Sequence, residues 1–281
     1  MKKMYDSTFS KLNKWFENNK VLTIVAFSGG VDSSVVAFAA RKALGNNAIA
    51  ITANYNTLSD EDLLNARVVA EEIGIKHIII KYNELKNSEF TKNDKLRCFY
   101  CRGELARHLI NESRKLGAGL IVDGTNIDDL GDFRPGINAM RQHGIRSPLV
   151  EVGIRKDQVR FIAKSLNLSV YDRPSNSCLA SRIPTGSQIT RPKLGRVEKS
   201  ESLVKSIFKV RQVRVRDHQN LARIEVGRHE IQNLFDMARL DLLDSELKAL
   251  GFEHVTIDIA GYREREIKQK LRQSNISSHI A

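Results

Sequence analysis

Two kinds of chemistry are legible in the side chains of this chain, one for phosphate and one for sulfur. Ser28-Gly29-Gly30-Val31-Asp32-Ser33-Ser34 follows the apolar residues Val25-Ala26-Phe27 and leads into a helical stretch. Glycines let backbone N–H groups approach an anion, serine hydroxyls add donors, and the following helix N-terminus adds partial positive charge. The segment therefore predicts a phosphate site, with Asp32 placed either to orient the loop or to help hold magnesium. It is not a Walker A loop, because the GxxxxGK[ST] spacing and its lysine are absent. Sulfur enters through Cys98-Phe99-Tyr100-Cys101 and through Cys178 in Ser177-Cys178-Leu179-Ala180-Ser181-Arg182. Three thiolates suit three irons of a 4Fe-4S cluster whose fourth iron stays open to sulfide, or a zinc ion completed by His or water; three unconnected thiols are the alternative.

These residues need elements to hold them. Phe9, Leu12, Trp15 and Phe16 recur at helical spacing, and Val21 to Phe27 reads as a buried strand. Val31 to Leu44 is a predicted helix ended by Gly45, and Ala48 to Ala53 a second strand. A helix from Asp60 to Ile73 and a strand from His77 to Lys81 come next. The two-cysteine segment reads as a connection, followed by a helix from Glu104 to Leu116, a strand from Gly119 to Asp123 and a helix from Arg155 to Leu166. Strand and helix alternate, which predicts an α/β, doubly wound parallel sheet over residues 1–172, with ligands at the carboxyl ends of its strands. The Ser-, Pro- and Arg-rich stretch from Asp172 to Pro192 marks a domain boundary. Beyond it, residues 173–281 read as a smaller C-terminal α+β domain.

The serine-glycine loop after a first strand resembles the PP-loop ATP pyrophosphatase superfamily. That resemblance implies that Ala26, Ser28, Gly29, Gly30, Val31, Asp32 and Ser33 hold ATP, with further contacts from Thr52, Gly124, Thr125 and Asp129 and with Mg2+ on the phosphates. Asp128 and Asp132 are neighbouring candidates for the magnesium, and a solvated acidic loop is the plainer reading of all three aspartates. Over nearly its whole length the chain resembles the LarE family of ATP-dependent pyridinium-3,5-biscarboxylic acid mononucleotide sulfurtransferases. The likeness is carried by Arg97-Cys98-Phe99-Tyr100-Cys101, Asp123-Gly124-Thr125-Asn126, Cys178-Leu179-Ala180-Ser181-Arg182-Ile183-Pro184, Arg214-Val215-Arg216, Ala222-Arg223-Ile224-Glu225-Val226 and Gly261-Tyr262-Arg263. It implies that Ser28 and Asp32 assist adenylylation of a carboxylate and that sulfur arrives at Cys178. Having Cys98, Cys101 and Cys178 together is similar to the branch that uses a 4Fe-4S cluster rather than to the branch that sacrifices one cysteine. Arg214, Glu225 and Arg263 would contact the phosphorylated pyridinium substrate. Arg182 would steady the adenylate or the substrate phosphate, a salt bridge at the domain boundary being its plainer role.

Composition sets the outer limits. The chain has 281 residues, 41% of them apolar, a net charge of +12 and three cysteines. An odd, small number of cysteines argues for a reduced compartment, and the lysine-rich start lacks a secretory apolar run, so a cytoplasmic enzyme without a membrane span is expected. The positive charge suits a phosphorylated ligand. It would also suit a tRNA-thiolating PP-loop enzyme, but no added RNA-binding module is evident, which argues against nucleic acid as partner. An ammonia-using ligase would leave the cysteines idle, and a non-catalytic ATP- and cluster-binding sensor is a further alternative. A sulfide source is implied as partner, and a homo-oligomer by family analogy.

Overall fold

The structure, a computed structural model, describes residues 2–131 and 134–262. The chain divides into two compact units, Met1–Cys178 and Leu179–Ala281. In the first, the elements run α1 (Lys2–Glu17), β1 (Thr23–Ala26), α2 (Val31–Leu44), β2 (Ala48–Asn54), α3 (Asp60–Ile73), β3 (Lys76–Lys81), α4 (Ser88–Thr91), α5 (Arg97–Leu116), β4 (Leu120–Val122), α6 (Pro135–Gln142), α7 (Pro148–Glu151) and α8 (Lys156–Ser165). The four strands form a parallel sheet in the order β3-β2-β1-β4.

Strand period decides which face each side chain feeds. In β2, Ala48 and Ala50 join one core with Val35, Val36, Ala39 and Ala40 of α2, Val69 of α3 and Val159 and Ile162 of α8. Ile49, Ile51 and Ala53 point the other way, to a second core with Leu105, Ala106 and Leu109 of α5 and Met140 of α6. Successive strand side chains alternate faces, so a sheet covered on both sides needs continuous apolar strands, which is what Ala48 to Ala53 supplies. Helix ends follow local chemistry. Ser59 caps α3 by accepting from the Asp62 N–H at 3.2 Å, and Gly74 closes it in the left-handed region.

One expectation is corrected. Cys98 and Cys101 lie on the first turns of α5 rather than on a connection. The opening Arg97-Cys98-Phe99-Tyr100-Cys101-Arg102-Gly103 carries no apolar stripe, because its side chains are not core side chains, and the helical period is visible only from Leu105 onward. Helices α6 and α7, each with a proline in the first turn, were not anticipated either.

The second unit holds α9 (Arg191–Phe208), β5 (Val213–His218), β6 (Leu221–Val226), α10 (Met237–Ala249) and β7 (His254–Ile257). Its sheet is mixed: β5 and β6 are antiparallel, and β7 lies parallel to β6. Val204 and Phe208 of α9 and Leu243 and Leu247 of α10 pack on Val213, Val215, Ile224 and Val226. Among the described residues no helix is long and apolar enough to cross a membrane.

Candidate active site

Strand order creates the site. The chain winds outward from β1 through β2 to β3, then returns to the other side of β1 for β4, so β1 and β4 flank the switch point at whose carboxyl ends open α/β sheets place their ligand crevice. Ser28 to Ser33 leaves β1 there and Asp123 to Asn126 leaves β4. Gly29 is buried with φ +68°, and an added Cβ would lie 2.6 Å from Ala66 Cα of α3. Its carbonyl accepts from Asn65 Nδ2 at 2.7 Å. Only glycine meets both demands without strain. The Ser28 and Ser33 hydroxyls are 3.2 Å apart, and Ser33 Oγ donates to Gly30 O at 3.1 Å. Gly30 is the N-cap of α2 and supplies no side-chain cap, so the first turn of this 14-residue helix is open to an external anion. A triphosphate fits that donor set.

The partner loop is fixed against the first. An added Cβ on Gly124 would lie 2.7 Å from the Ser33 nitrogen, so the two backbones touch. Buried Asp123 accepts from the Thr125 N–H at 3.0 Å, the Thr125 hydroxyl at 3.0 Å and the Ser147 hydroxyl at 2.8 Å. Asn126 donates through Nδ2 to Asp32 Oδ1 at 3.1 Å, and Lys156, at the start of α8, is ion-paired with Asp32 Oδ2. Asp129 accepts from the Asn126 N–H at 3.1 Å and pairs with Arg134; Asp128 accepts from Arg155 Nη1 and from the Lys156 N–H, each at 2.8 Å. These carboxylates brace the loop in the structure as it stands. Asp132 lies outside the described residues. Thr52 is a brace as well: its hydroxyl donates to Phe27 O at 2.8 Å, which leaves His77 Nε2, 2.7 Å away, to donate to it.

All three cysteines belong to this unit, none is in a disulfide, and Cys98 and Cys178 lie near enough to Cys101 to act on it electrostatically. Burial pushes the Cys101 thiol up to about 12, and its neighbours Cys178, Glu84 and Cys98 act in the same direction. Cys98 and Cys101 are one helical turn apart, and Arg97 Nη2 reaches Cys98 Sγ at 3.9 Å. Arg102 lies near Cys101 and Asp123: burial opposes its charge, but Tyr55, Cys101 and Asp123 outweigh that and hold its pKa above the ordinary guanidinium value. Tyr55 stacks on Tyr82 at 5.4 Å between centroids, and burial raises the pKa of both phenols. Fully buried Glu84 accepts from the Asn56 and Thr57 N–H groups at 3.0 and 2.8 Å and so fixes the loop that carries Tyr55. Among the described residues no three His, Cys, Asp or Glu side chains converge on the position of a single metal ion. Cys98 and Cys101 come from the first turns of α5 and Cys178 from a separate loop.

In the second unit the substrate candidates sit on neighbouring strands. Arg214 of β5 pairs in register with Glu225 of β6. Glu225 accepts from Arg216 Nε and Nη2 at 3.1 and 2.8 Å and from Arg223 Nη2 at 2.9 Å. Burial works against its charge, and those arginine hydrogen bonds overcome it, holding the carboxyl below its ordinary range. Arg214 lies over the Tyr262 ring at 5.1 Å. Arg182, with a fully buried side chain, donates to both oxygens of Glu201 at 2.7 and 3.0 Å, and Glu201 also accepts from the Val215 N–H at 3.0 Å. Arg263 lies outside the described residues.

Residue-by-residue reading missed Lys156 and Arg102. A signal for Lys156 was present: Arg155-Lys156 puts cations at a helix N-terminus, where the dipole disfavours them, so something other than helix stability places them there. Arg102 carried no such mark.

With the geometry in view, the relatives become informative. Residues 20–92 match the family model described as "Asparagine synthase". An uncharacterised protein of Synechocystis, slr1717, is 41% identical over 269 residues, covering 95% of this chain and 99% of that one. The pyridinium-3,5-bisthiocarboxylic acid mononucleotide synthase of Lactiplantibacillus plantarum is 30% identical over 256 residues, covering 90% and 91%. The tRNA-specific 2-thiouridylase MnmA of Rickettsia conorii is more distant, 26% identical with 73% of this chain and 64% of that one covered. A likeness that covers 90% of the chain places it in the LarE family of PP-loop enzymes, and it is an ATP-dependent sulfurtransferase.

Proposed function

We propose that the substrate is pyridinium-3,5-biscarboxylic acid mononucleotide and that the enzyme converts a carboxylate of it to a thiocarboxylate, in the biosynthesis of the nickel-pincer nucleotide. The observation that carries this reading is that Cys98, Cys101 and Cys178 lie near enough to act on one another electrostatically in the unit that carries the phosphate loop, with Arg102 near both Cys101 and Asp123. A carboxylate resists attack because oxide would have to leave. Its oxygen therefore attacks the α-phosphorus of ATP, the bond to the bridging oxygen breaks, and pyrophosphate leaves. Sulfide then adds to the acyl carbon, the carbon–oxygen bond to AMP breaks, and loss of the sulfhydryl proton leaves the thiocarboxylate. Backbone N–H groups at the start of α2, with the Ser28 and Ser33 hydroxyls, stabilise charge on the departing pyrophosphate, and magnesium, when bound, would share that charge.

Cys98, Cys101 and Cys178 would hold a 4Fe-4S cluster, which when bound supplies a non-protein sulfide as nucleophile. Residues 1–172 serve ATP, and residues 173–281 serve the substrate through Arg214, Glu225 and Arg263. The 30% identity to the pyridinium-3,5-bisthiocarboxylic acid mononucleotide synthase of Lactiplantibacillus plantarum supports this over RNA thiolation. The test uses the anaerobically purified full chain with ATP, magnesium, the pyridinium mononucleotide and sulfide. Asp32→Ala should abolish pyrophosphate release, whereas Cys178→Ala should keep adenylylation and stop thiolation. Pyrophosphate release from Asp32→Ala at the original rate, or thiocarboxylate from Cys178→Ala, would refute the respective half-reaction.

A further inference from the structure

The phosphate loop is short of positive charge. Ser28 to Ser34 contains no cation, and Asp32 adds a negative charge to a site that must receive a triphosphate. A Walker A loop solves this with its own lysine. Here a lysine arrives from elsewhere in the chain: the ammonium of Lys156 is paired with Asp32 Oδ2, while Asn126 Nδ2 occupies Oδ1 at 3.1 Å. Both oxygens of Asp32 are thus engaged, and the positive charge of the ammonium on Oδ2 opposes a divalent cation there.

We propose that Lys156 is a phosphate-binding residue stored on Asp32, and that Mg–ATP releases it: magnesium takes Asp32 Oδ2 as the ammonium moves onto the pyrophosphate half of the nucleotide. This rests on the ATP-dependent reading of the loop. Three features support a swing. The pair is not sealed in the core, since the Lys156 and Asp32 side chains are 30% and 24% exposed. The base of Lys156 is fixed, because its N–H donates to Asp128 at 2.8 Å and Arg155 Nη1 donates to the same carboxylate, so only the flexible four-carbon stem needs to move. The exchange also replaces one cation by another at Asp32, so no carboxylate is left unpaired at the crevice. Metal and nucleotide then bind as a coupled pair, and metal alone is held off by the resident ammonium.

The test is equilibrium binding to the full chain, comparing wild type, Lys156→Gln and Lys156→Arg with Mg–ATP, AMP and Mn2+ alone. Loss of one charge-assisted contact predicts about ten- to hundredfold weaker Mg–ATP binding for Lys156→Gln, with AMP changed by less than about twofold. Lys156→Arg should recover part of the ATP affinity, and Mn2+ without nucleotide should bind Lys156→Gln more tightly than wild type. Equal losses for ATP and AMP, or no loss for ATP, would overturn the assignment, as would Mn2+ binding equally to both proteins. A wild-type chain that fails to bind ATP would overturn the ATP reading and this inference together, whereas a wild type that binds while Lys156→Gln binds equally well sinks the lysine alone.

Discussion

Gly29→Ala gives the sharpest structural test of the phosphate loop. The methyl group meets two obstacles: a left-handed backbone at φ +68°, and the α3 backbone, with Ala66 Cα 2.6 Å and Ala66 N 2.9 Å from the new carbon. Left-handed geometry costs a Cβ-bearing residue roughly 1–2 kcal/mol. Overpacking against atoms that cannot rotate away adds about 1–3 kcal/mol. Gly74 isolates the first term, since it has the same φ of +68° with nothing within 4 Å of an added Cβ. Urea denaturation should therefore show Gly74→Ala losing about 1–2 kcal/mol and Gly29→Ala about 2–5 kcal/mol, with ATP affinity lowered only in the latter. Equal losses in the two variants would show that the loop does not lie against α3 as described, and unchanged ATP binding by Gly29→Ala would detach the loop from the nucleotide.

Other expectations follow from buried charges. Glu201→Ala should cost about 3–5 kcal/mol because it removes the carboxylate that neutralises a fully buried Arg182 guanidinium, whereas a loss under about 1 kcal/mol would show that the pair is solvated. His77 titrates below its ordinary value, first because of burial and then because of Arg67. The unfolded chain, with an ordinary histidine near ~6.5, then takes up the proton first, so stability present above that pH is lost as pH falls through and below it. Denaturation midpoints at several pH values should show a shallower acid loss in His77→Gln than in wild type; parallel curves would exclude this histidine as a source.

Most of the first unit was readable in the residues. The α2 and α3 spans, Val31–Leu44 and Asp60–Ile73, are bounded by glycine and serine signals, and the apolar run of β2 announced a strand covered on both faces. The start of α5 was not readable, because its leading turns serve the thiols and lack an apolar stripe. The site was legible where function uses a motif, as in Ser28 to Ser33, and hidden where it uses long-range pairing. Nothing local to Lys156 says that it meets Asp32, 124 positions earlier. Arg182 shows the converse: adjacency to Cys178 in sequence suggested chemistry, while its side chain is buried on Glu201.

The central claim is that one crevice activates a carboxylate with ATP and the adjoining thiols deliver sulfur to it. The most direct measurement is mass spectrometry of the pyridinium mononucleotide after anaerobic incubation with the enzyme, ATP, magnesium and sulfide, with AMP and pyrophosphate quantified in the same reaction. The account predicts one oxygen replaced by sulfur for each ATP converted to AMP and pyrophosphate. Thiocarboxylate formed without ATP cleavage, or ATP cleavage unchanged when the mononucleotide is left out, would contradict it.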